Sequence, residues 1–254
     1  MTFNLWADQP ISQSWAKRRE AVVALIQKYV PDVIGFQEAV LSRIEYLADA
    51  LPEYTWYGVG REDGKVAGEF APVFYRKLRL HPGRHMTRWL SLTPAEVSRG
   101  WGAACHRIAT FCEFTIPEGA QPAFVFINTH LDHYSRLARI EGARTILQEI
   151  QGWDQERPVI LTGDFNCSER SPAYQILISK DGGLSDAKQI CEAPCEGPRV
   201  TWQGVWGTGI ARQHLDYFFT RHFEVKHHVV LNEKSLGRYP SDHFPVYCDL
   251  DFRR

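Results

Sequence analysis

Short strand-like runs outnumber helical segments along the 254-residue chain, and this imbalance most constrains how it can fold. Apolar and aromatic residues recur at strand spacing in the runs 32–38, 54–59, 71–75, 108–114, 123–128, 159–161, 215–220, 225–231 and 245–250. Helical spacing is confined to 13–29, 41–51, 136–150 and 172–178. One doubly wound sheet would need more helices than this. The pattern therefore predicts two packed β-sheets with helices outside them.

The same pattern continues through the whole chain without a linker, a repeat or a low-complexity tract. We therefore expect residues 1–254 to form one domain, with a long irregular loop over 184–211. Six irregularly spaced cysteines favour free thiols over a disulfide framework. No apolar run approaches the roughly 20 residues of a membrane span, and no secretory signal follows Met1. These features predict a cytoplasmic protein, with an exported location as the alternative if residues precede Met1.

Charge and motif content exclude several classes of function. The 29 basic and 30 acidic residues give a net charge of −1, which argues against a nucleic-acid coat protein. It does not argue against an enzyme that binds phosphate at one local site. The chain has neither a phosphate-cradling P-loop nor a Gly-x-Ser-x-Gly nucleophile motif, so the NTPase and serine hydrolase classes have no support.

Polar side chains gather where the predicted strands begin or end. They occur at 4, 37–38, 128–130, 163–166, 214–217 and 241–243. Oxygen donors such as Glu38, Asn4 and Asp242 are suited to Mg²⁺ or Mn²⁺. His130 and His243 are suited to proton transfer and to stabilising charge in a transition state. Side chains at strand ends would converge on one rim of the sandwich.

Six of these segments, taken in order, resemble the motifs of the endonuclease/exonuclease/phosphatase superfamily, the DNase I-like proteins. The segments are Thr2-Phe3-Asn4, Gln37-Glu38, Thr129-His130, Gly163-Asp164-Phe165-Asn166, Leu215-Asp216-Tyr217 and Ser241-Asp242-His243-Phe244-Pro245. The resemblance implies a four-layer α/β sandwich, in which two packed mixed β-sheets are flanked by helices. It also implies a phosphoesterase that depends on Mg²⁺ or Mn²⁺ and cleaves a P–O bond by direct attack of water.

The resemblance further implies roles for the residues around the metal and the water. Glu38 would be the principal metal ligand, with Asn4 and Asp242 close to the metal and its waters. Asp164 would orient or deprotonate the attacking water. Asn166 would hold that water or a phosphate oxygen.

For the histidines, the resemblance implies that His243 contacts the phosphate and is oriented by Asp216. His130 would be the second imidazole of the site. Glu69 looks like the carboxylate that partners His130 in part of the family. These three side chains and Asp216 complete the expected catalytic set.

Two arginines extend the resemblance towards the substrate. Arg107 matches an arginine that faces the phosphate, and Arg61 lies in a segment expected to form a substrate-facing loop. The segments 60–75 and 89–101 look like those of a bacterial branch related to the deadenylase and nocturnin group. Leu92 and Gly102 depart from that branch, which has Glu and Asp there, so its substrates do not transfer directly.

Three alternatives concern the family, the substrate and the function of the protein. The segment 128–133 is similar to part of the metallo-β-lactamase signature, but Asn128 stands where that signature needs a histidine. Phosphodiesters and phosphomonoesters use the same core, so both stay open, with nucleotides or nucleic acid among the substrates. No obligate protein partner is indicated. The alternative function is a non-catalytic binding or scaffold module; chemically competent residues at every central position argue against it.

Overall fold

The computed structural model describes residues 1–7, 14–117, 123–204 and 212–253. The strands in these residues are β1 (Thr2–Asn4), β2 (Val33–Gln37), β3 (Tyr54–Tyr57), β4 (Val73–Arg76), β5 (His81–Trp89), β6 (Ile108–Thr115), β7 (Phe124–His130), β8 (Val159–Asp164), β9 (Ser185–Asp186), β10 (Asp216–Arg221), β11 (Phe223–Val230) and β12 (Val246–Phe252). The helices are α1 (Trp15–Tyr29), α2 (Leu41–Ala50), α3 (Arg136–Gln151), α4 (Pro172–Ile178) and α5 (Ala187–Ile190).

The strands form two six-stranded sheets. The first has the order β11-β12-β1-β2-β4-β3, and the second has the order β5-β6-β7-β8-β10-β9. Each sheet is mixed, because β1–β2 and β7–β8 pair in parallel while the neighbouring pairs are antiparallel. The predicted four-layer sandwich of two mixed sheets flanked by helices is confirmed. Among the described residues, no helix has the length and apolar character needed to cross a membrane.

Three apolar layers hold the sandwich together. Helices α1 and α2 pack on the first sheet around Phe36, and helices α3 and α4 pack on the second around Ile127. The layer between the sheets contains Phe126 and Phe218. Successive strand residues point to opposite faces, so Phe126 and Ile127 of β7 fill different layers. This is why the central strands are apolar on both faces.

Two segments differ from the sequence-based expectation. The segment 184–211 was expected to be irregular, but it contains β9 and α5 because buried Asp186 accepts hydrogen bonds from Tyr174 Oη and the Lys188 backbone N–H. Residues 205–211 of that segment lie outside the described residues. Strand β5 was not expected, because a register shift between Pro82 and His85 interrupts its period-two pattern. None of the six cysteines is in a disulfide.

A polar link crosses the otherwise apolar layer between the sheets. Asn128 Nδ2 on β7 donates to the backbone oxygens of Phe36, at 2.7 Å, and Pro72, at 3.0 Å. Its Oδ1 accepts from Gln37 Nε2 at 2.7 Å. Asn128 and Gln37 are fully buried. A Cβ on Gly35 would lie 2.5 Å from Asn128 Oδ1, so the link needs glycine at that position.

The variant Gly35→Ala should lower the free energy of unfolding by about 2–4 kcal/mol, because the added methyl displaces the Asn128 amide from its buried partners. Urea unfolding measures the effect. Gly142→Ala in α3 is the control. Its Cβ would approach the end of the Leu90 side chain at 3.2 Å, and we expect a change within about 1 kcal/mol. Equal effects of the two variants would contradict the assignment.

Acid should destabilise the fold partly through His228. Burial lowers the pKa of His228 on β11 to about 4. Its Nδ1 has no hydrogen-bond partner among the described residues. Below pH 6.5 the His228 imidazole binds a proton in the unfolded chain, whereas in the folded chain it does so only near pH 4. The stabilisation is therefore complete above pH 6.5 and is lost as the pH falls towards 4.

Replacement of His228 by leucine should remove this acid sensitivity. Between pH 7.5 and pH 4.5, the free energy of unfolding of His228→Leu should fall by about 2–3 kcal/mol less than that of the wild type. Urea titrations at the two pH values provide the comparison. The control is His227→Gln, at an exposed histidine that contacts Asp249. A parallel pH dependence in His228→Leu and the wild type would contradict the prediction.

Candidate active site

Strand register places three functional side chains next to one another on the second sheet. Asp164 ends β8, where its Cα pairs with that of His130 on β7 and that of Asp216 on β10. Residues paired in register share a face of the sheet, and here that face is turned towards the first sheet. All three residues therefore lie at the same edge of the layer between the sheets.

The first sheet contributes Asn4 from β1 and Glu38, which follows β2. Asn4 pairs in register with Gln37. A regular strand would turn Glu38 to the opposite face from Gln37. Glu38 instead has φ 55°, a left-handed conformation that breaks the alternation. Its carboxylate then reaches Asn4 and also accepts a hydrogen bond from the Ala7 backbone N–H.

Asn4 connects the carboxylates of the two sheets. Its Nδ2 donates to Glu38 Oε1 at 2.9 Å and to Asp164 Oδ2 at 3.0 Å. Its Oδ1 accepts from the Trp6 backbone N–H at 2.9 Å, which fixes the orientation of the amide. Asn4 was expected among the metal ligands, but its oxygen faces away from the carboxylates. In this structure its contacts orient Glu38 and Asp164.

Two buried carboxyl groups at the site have raised pKa values. Burial, with the nearby Asp216 carboxylate, raises the pKa of Asp164 to about 7. Burial also raises the pKa of Asp242, although His243 opposes the shift. Asp242 Oδ2 accepts from Trp202 Nε1 at 3.2 Å. The nearby positive charges are therefore too few to offset the burial and mutual repulsion of these carboxylates.

His243 is held by a carboxylate. Its Nδ1 lies 2.8 Å from Asp216 Oδ2, and its Nε2 lies 3.8 Å from Asp164 Oδ2. Burial alone would lower the pKa of His243, but Asp216, Asp242 and Asp164 together raise it well above its ordinary value. His243 is therefore a cation near neutral pH, with Asp216 oriented as its partner.

His130 is held by an amide and has the opposite protonation. Asn166 Nδ2 lies 3.0 Å from the Leu131 backbone oxygen and 3.0 Å from His130 Nε2. A carbonyl oxygen only accepts, so the amide nitrogen must be on this side and His130 Nε2 must accept as well. Burial, with Arg107 and Arg61 nearby, lowers the pKa of His130 well below its ordinary value. His130 is thus neutral, with its proton on Nδ1.

The structure brings the remaining expected residues to the same place, with one changed partner. Glu69 was expected to pair with His130, but its carboxylate accepts from Arg61 Nη1 at 2.6 Å. Burial raises the pKa of Glu69, and Arg61 opposes the shift. Arg107 is 5% exposed, and its Nε donates to Asp132 Oδ2 at 3.3 Å.

These side chains line one cavity of about 530 Å³ at the edge of the sandwich. The expected residues on its wall are Glu38, Arg61, Glu69, Arg107, His130, Asp164, Asn166, Asp242 and His243. Asn4 and Asp216 support this wall through hydrogen bonds to Asp164 and His243. Carboxylates, imidazoles and guanidinium groups therefore surround a space large enough for a small phosphate ester.

Sequence reasoning missed several other wall residues, which are Trp6, Ala7, Cys105, His133, Trp202, Gln213 and Leu215. Most lie in loops without a polar pattern at a strand end. His133 had a usable signal, because it lies three residues after His130. Trp202 had no such signal, since its position depends on one hydrogen bond to Asp242 and on backbone bridges to Gln213 and His243.

The donor set fits a divalent cation. Carboxylate oxygens of Glu38 and Asp164 lie within 4.8 Å of one another, and the Asp242 carboxylate lines the same cavity. Carboxylate oxygens that repel one another are suited to a hard divalent cation. A bound cation would offset the crowding that raises the pKa of Asp164 and Asp242.

Two mixed sheets between helix layers, with carboxylates and imidazoles at one edge, define a DNase I-like protein. The chain belongs to the Endonuclease/Exonuclease/phosphatase family, whose model matches residues 1–243. This confirms the family resemblance seen in the sequence. The family name covers enzymes that act on phosphate ester bonds.

Known relatives agree with this placement. The chain is 30% identical to human nocturnin over 94% of its own length. It spans 58–59% of the length of the mammalian nocturnins that it matches. An endonuclease/exonuclease/phosphatase from Bacteroides vulgatus has a TM-score of 0.92 and 34% identity, over 99% of this chain and 97% of the other. A mannosyl-6-phosphatase from Bacteroides thetaiotaomicron has a TM-score of 0.89 and 30% identity, over 99% and 98%.

The opposite protonation of the two imidazoles can be measured directly. Long-range ¹H–¹⁵N spectra at pH 7 should show His243 as an imidazolium and His130 as the neutral Nδ1–H tautomer. Asn166→Asp should place a carboxylate against His130 Nε2, raise the pKa of His130 and protonate Nε2. Exposed His81 serves as the control, since its signals should not respond. A neutral Nε2–H tautomer of His130 in the wild type would contradict the assignment.

Proposed function

We propose that the protein is a Mg²⁺- or Mn²⁺-dependent phosphoesterase that hydrolyses a P–O bond by direct attack of water. The observation that carries the proposal is the meeting of Glu38, Asp164 and Asn4 across the two sheets, beside a charged and a neutral histidine. Phosphoester hydrolysis brings a nucleophile up to an anion and develops negative charge on the leaving oxygen. The site has groups suited to bringing the nucleophile to the anion and to stabilising the charge on the leaving oxygen.

Glu38 and Asp242 would hold the cation, and Asn4 would orient Glu38. When bound, the cation would polarise the phosphoryl group and offset charge on the leaving oxygen. The crowded oxygen donors support this assignment. The Asn4 side chain, expected close to the metal and its waters, would act there as a hydrogen-bond donor to Glu38 and Asp164.

Asp164 would orient the attacking water and accept its proton. Its carboxylate is held from one side by Asn4 and from the other by the Asn166 backbone N–H, at 2.9 Å. It lies 3.6 Å from His130 Nε2 and 3.8 Å from His243 Nε2. This position between the two sheets places it at the centre of the site.

His243 would donate to the phosphoryl oxygens as an imidazolium, because Asp216 keeps it charged and fixes its ring. Asn166 would keep His130 neutral. The hydrogen bonds of Asn166 would also fix the orientations of its own amide and of the His130 ring towards the substrate. Arg107 and Arg61 would attract the anionic substrate, and Glu69 would orient Arg61. No covalent intermediate is needed in this arrangement.

The proposed substrate is a small phosphate ester. The cavity volume of about 530 Å³ and the net charge of −1 fit a compact anion better than a long nucleic-acid groove. The structure with 30% identity that acts as a mannosyl-6-phosphatase adds a phosphomonoester to the candidates. Phosphodiesters use the same central residues and belong in the first experiment.

Hydrolysis of p-nitrophenyl phosphate and bis-p-nitrophenyl phosphate, with Mg²⁺, Mn²⁺ or EDTA, tests this function. We expect turnover that needs the cation. Asp216→Asn should lower kcat by on the order of 10²-fold, because His243 loses its charge and orientation. Glu38→Gln should abolish the response to the cation. Glu45→Gln, an exposed position on α2, is the matched control.

The scaffold alternative gives a different result. Such a module would show no turnover, and neither Mg²⁺ nor Mn²⁺ would shift its melting temperature. If Glu38→Gln and the wild type also bound the cations equally in calorimetry, the phosphoesterase proposal would be wrong.

A further inference from the structure

A second cluster of ionisable groups lies at the wall of the cavity, where the turn between β7 and α3 meets the loop between β5 and β6. It consists of Cys105, Asp132 and His133, whose candidate ligand atoms lie within 4.8 Å of one another. Such a trio invites assignment as a metal site. Cys105 and His133 line the cavity, whereas Asp132 is buried behind them.

The hydrogen bonds of Asp132 argue against a metal there. Its Oδ1 accepts from the backbone N–H groups of Tyr134, at 3.0 Å, and Ser135, at 2.7 Å. Its Oδ2 accepts from the Ala104 backbone N–H at 3.0 Å and from Arg107 Nε at 3.3 Å. The four hydrogen bonds use the usual acceptor positions of a carboxylate. Asp132 has no oxygen left for a cation.

The hydrogen bond between His133 and Arg107 also argues against a metal. Arg107 Nη2 lies 2.7 Å from His133 Nδ1. A guanidinium nitrogen only donates, so Nδ1 must accept and the imidazole must be neutral. Partial burial and the Arg107 charge lower the pKa of His133, in agreement with this tautomer. The trio is therefore a support for Arg107.

This support leaves Arg107 with unused donors. Arginine has five N–H groups, and the described residues take two, one by Asp132 and one by His133. Arg107 Nη1 is buried and has no partner among the described residues. The Arg107 side chain is itself about 95% buried and lines the cavity.

The choice of partners also preserves positive charge. A second carboxylate in place of His133 would form a paired, neutralised guanidinium. A neutral imidazole holds the same nitrogen by a hydrogen bond without adding negative charge. Asp132 is fixed to the start of α3 and His133 is adjacent to it, so the geometry depends on rigid backbone.

We propose that Asp132 and His133 are positioning residues that hold Arg107 in the orientation in which its guanidinium binds a phosphoryl oxygen in the cavity. The inference rests on the proposed function for the identity of the anion. It assigns the residues that aim Arg107 and explains why a histidine follows Asp132. His133 acts through Arg107 and needs no contact of its own with the substrate.

Binding of inorganic phosphate, measured by calorimetry, tests the proposal together with the kinetics. His133→Phe keeps a ring but removes the acceptor, whereas His133→Asn keeps an acceptor near the Nδ1 position. We expect His133→Phe to weaken phosphate binding by about tenfold and to raise KM, since one charge-assisted hydrogen bond is lost. His133→Asn should stay within about twofold of the wild type. His81→Phe, at an exposed histidine on β5, is the matched control.

A double-mutant cycle separates positioning from a general structural effect. In the Arg107→Lys background, His133→Phe should cause no further loss of phosphate binding. The same tenfold loss in that background would overturn the proposal, as would equal losses in His133→Phe and His133→Asn. Melting temperatures of the His133 variants should equal that of the wild type, because the ring is exposed.

The two proposals fail in different ways. If the wild type binds phosphate with the expected mutational pattern but hydrolyses no ester, the phosphoesterase function fails and the positioning role stands. If the wild type hydrolyses esters while His133→Phe binds phosphate as tightly as the wild type, the positioning role is overturned alone. Failure of the wild type to bind phosphate would also overturn it.

Discussion

The buried amide of Asn128 is the contact on which the arrangement of the site depends. It crosses from β7 to the backbone of the first sheet and accepts from Gln37, in a space that Gly35 leaves open. Polar groups buried without partners cost free energy, so these hydrogen bonds favour the observed offset of the two sheets. His130 lies two residues beyond Asn128, and Glu38 follows Gln37. Fixing the offset therefore brings the catalytic edges of both sheets together.

The two histidines show how the partner decides the chemistry of identical side chains. His243 is buried and His130 largely so, which by itself disfavours the charged form of each. His243 has Asp216 on Nδ1 and is charged, whereas His130 has the Asn166 amide on Nε2 and is neutral. The strand register puts both imidazoles beside Asp164, so opposite protonation states lie within one small site. In the proposed reaction, the charged ring stabilises the phosphoryl oxygens and the neutral ring does not compete for them.

Sequence reasoning predicted the fold and the gathering of these polar side chains at one edge of the sandwich, because strand ends and strand spacing are local properties. The direction of a side chain, in contrast, depends on contacts with other parts of the chain. Asn4 lies beside the other expected residues, but the orientation of its amide follows from the Trp6 backbone N–H. Glu69 likewise lies at the cavity, and its pairing with Arg61 depends on the path of the loop between β3 and β4. Strand β5 was missed because a register shift hides its alternation.

The charges on the cavity wall are separated in a way that suits an anionic ester. The carboxylates of Glu38, Asp164 and Asp242 would repel a phosphate unless a cation lay between them. The closeness of Glu38 to Asp164 and the raised pKa values of Asp164 and Asp242 both favour such a cation. Arg107 carries the opposite charge on the same wall. A neutral histidine supports it, and one carboxylate balances it only in part. The phosphate would thus meet positive charge from two directions, from the cation and from the guanidinium. In the proposed function, this arrangement would allow a chain of almost zero net charge to bind a phosphate ester at one place.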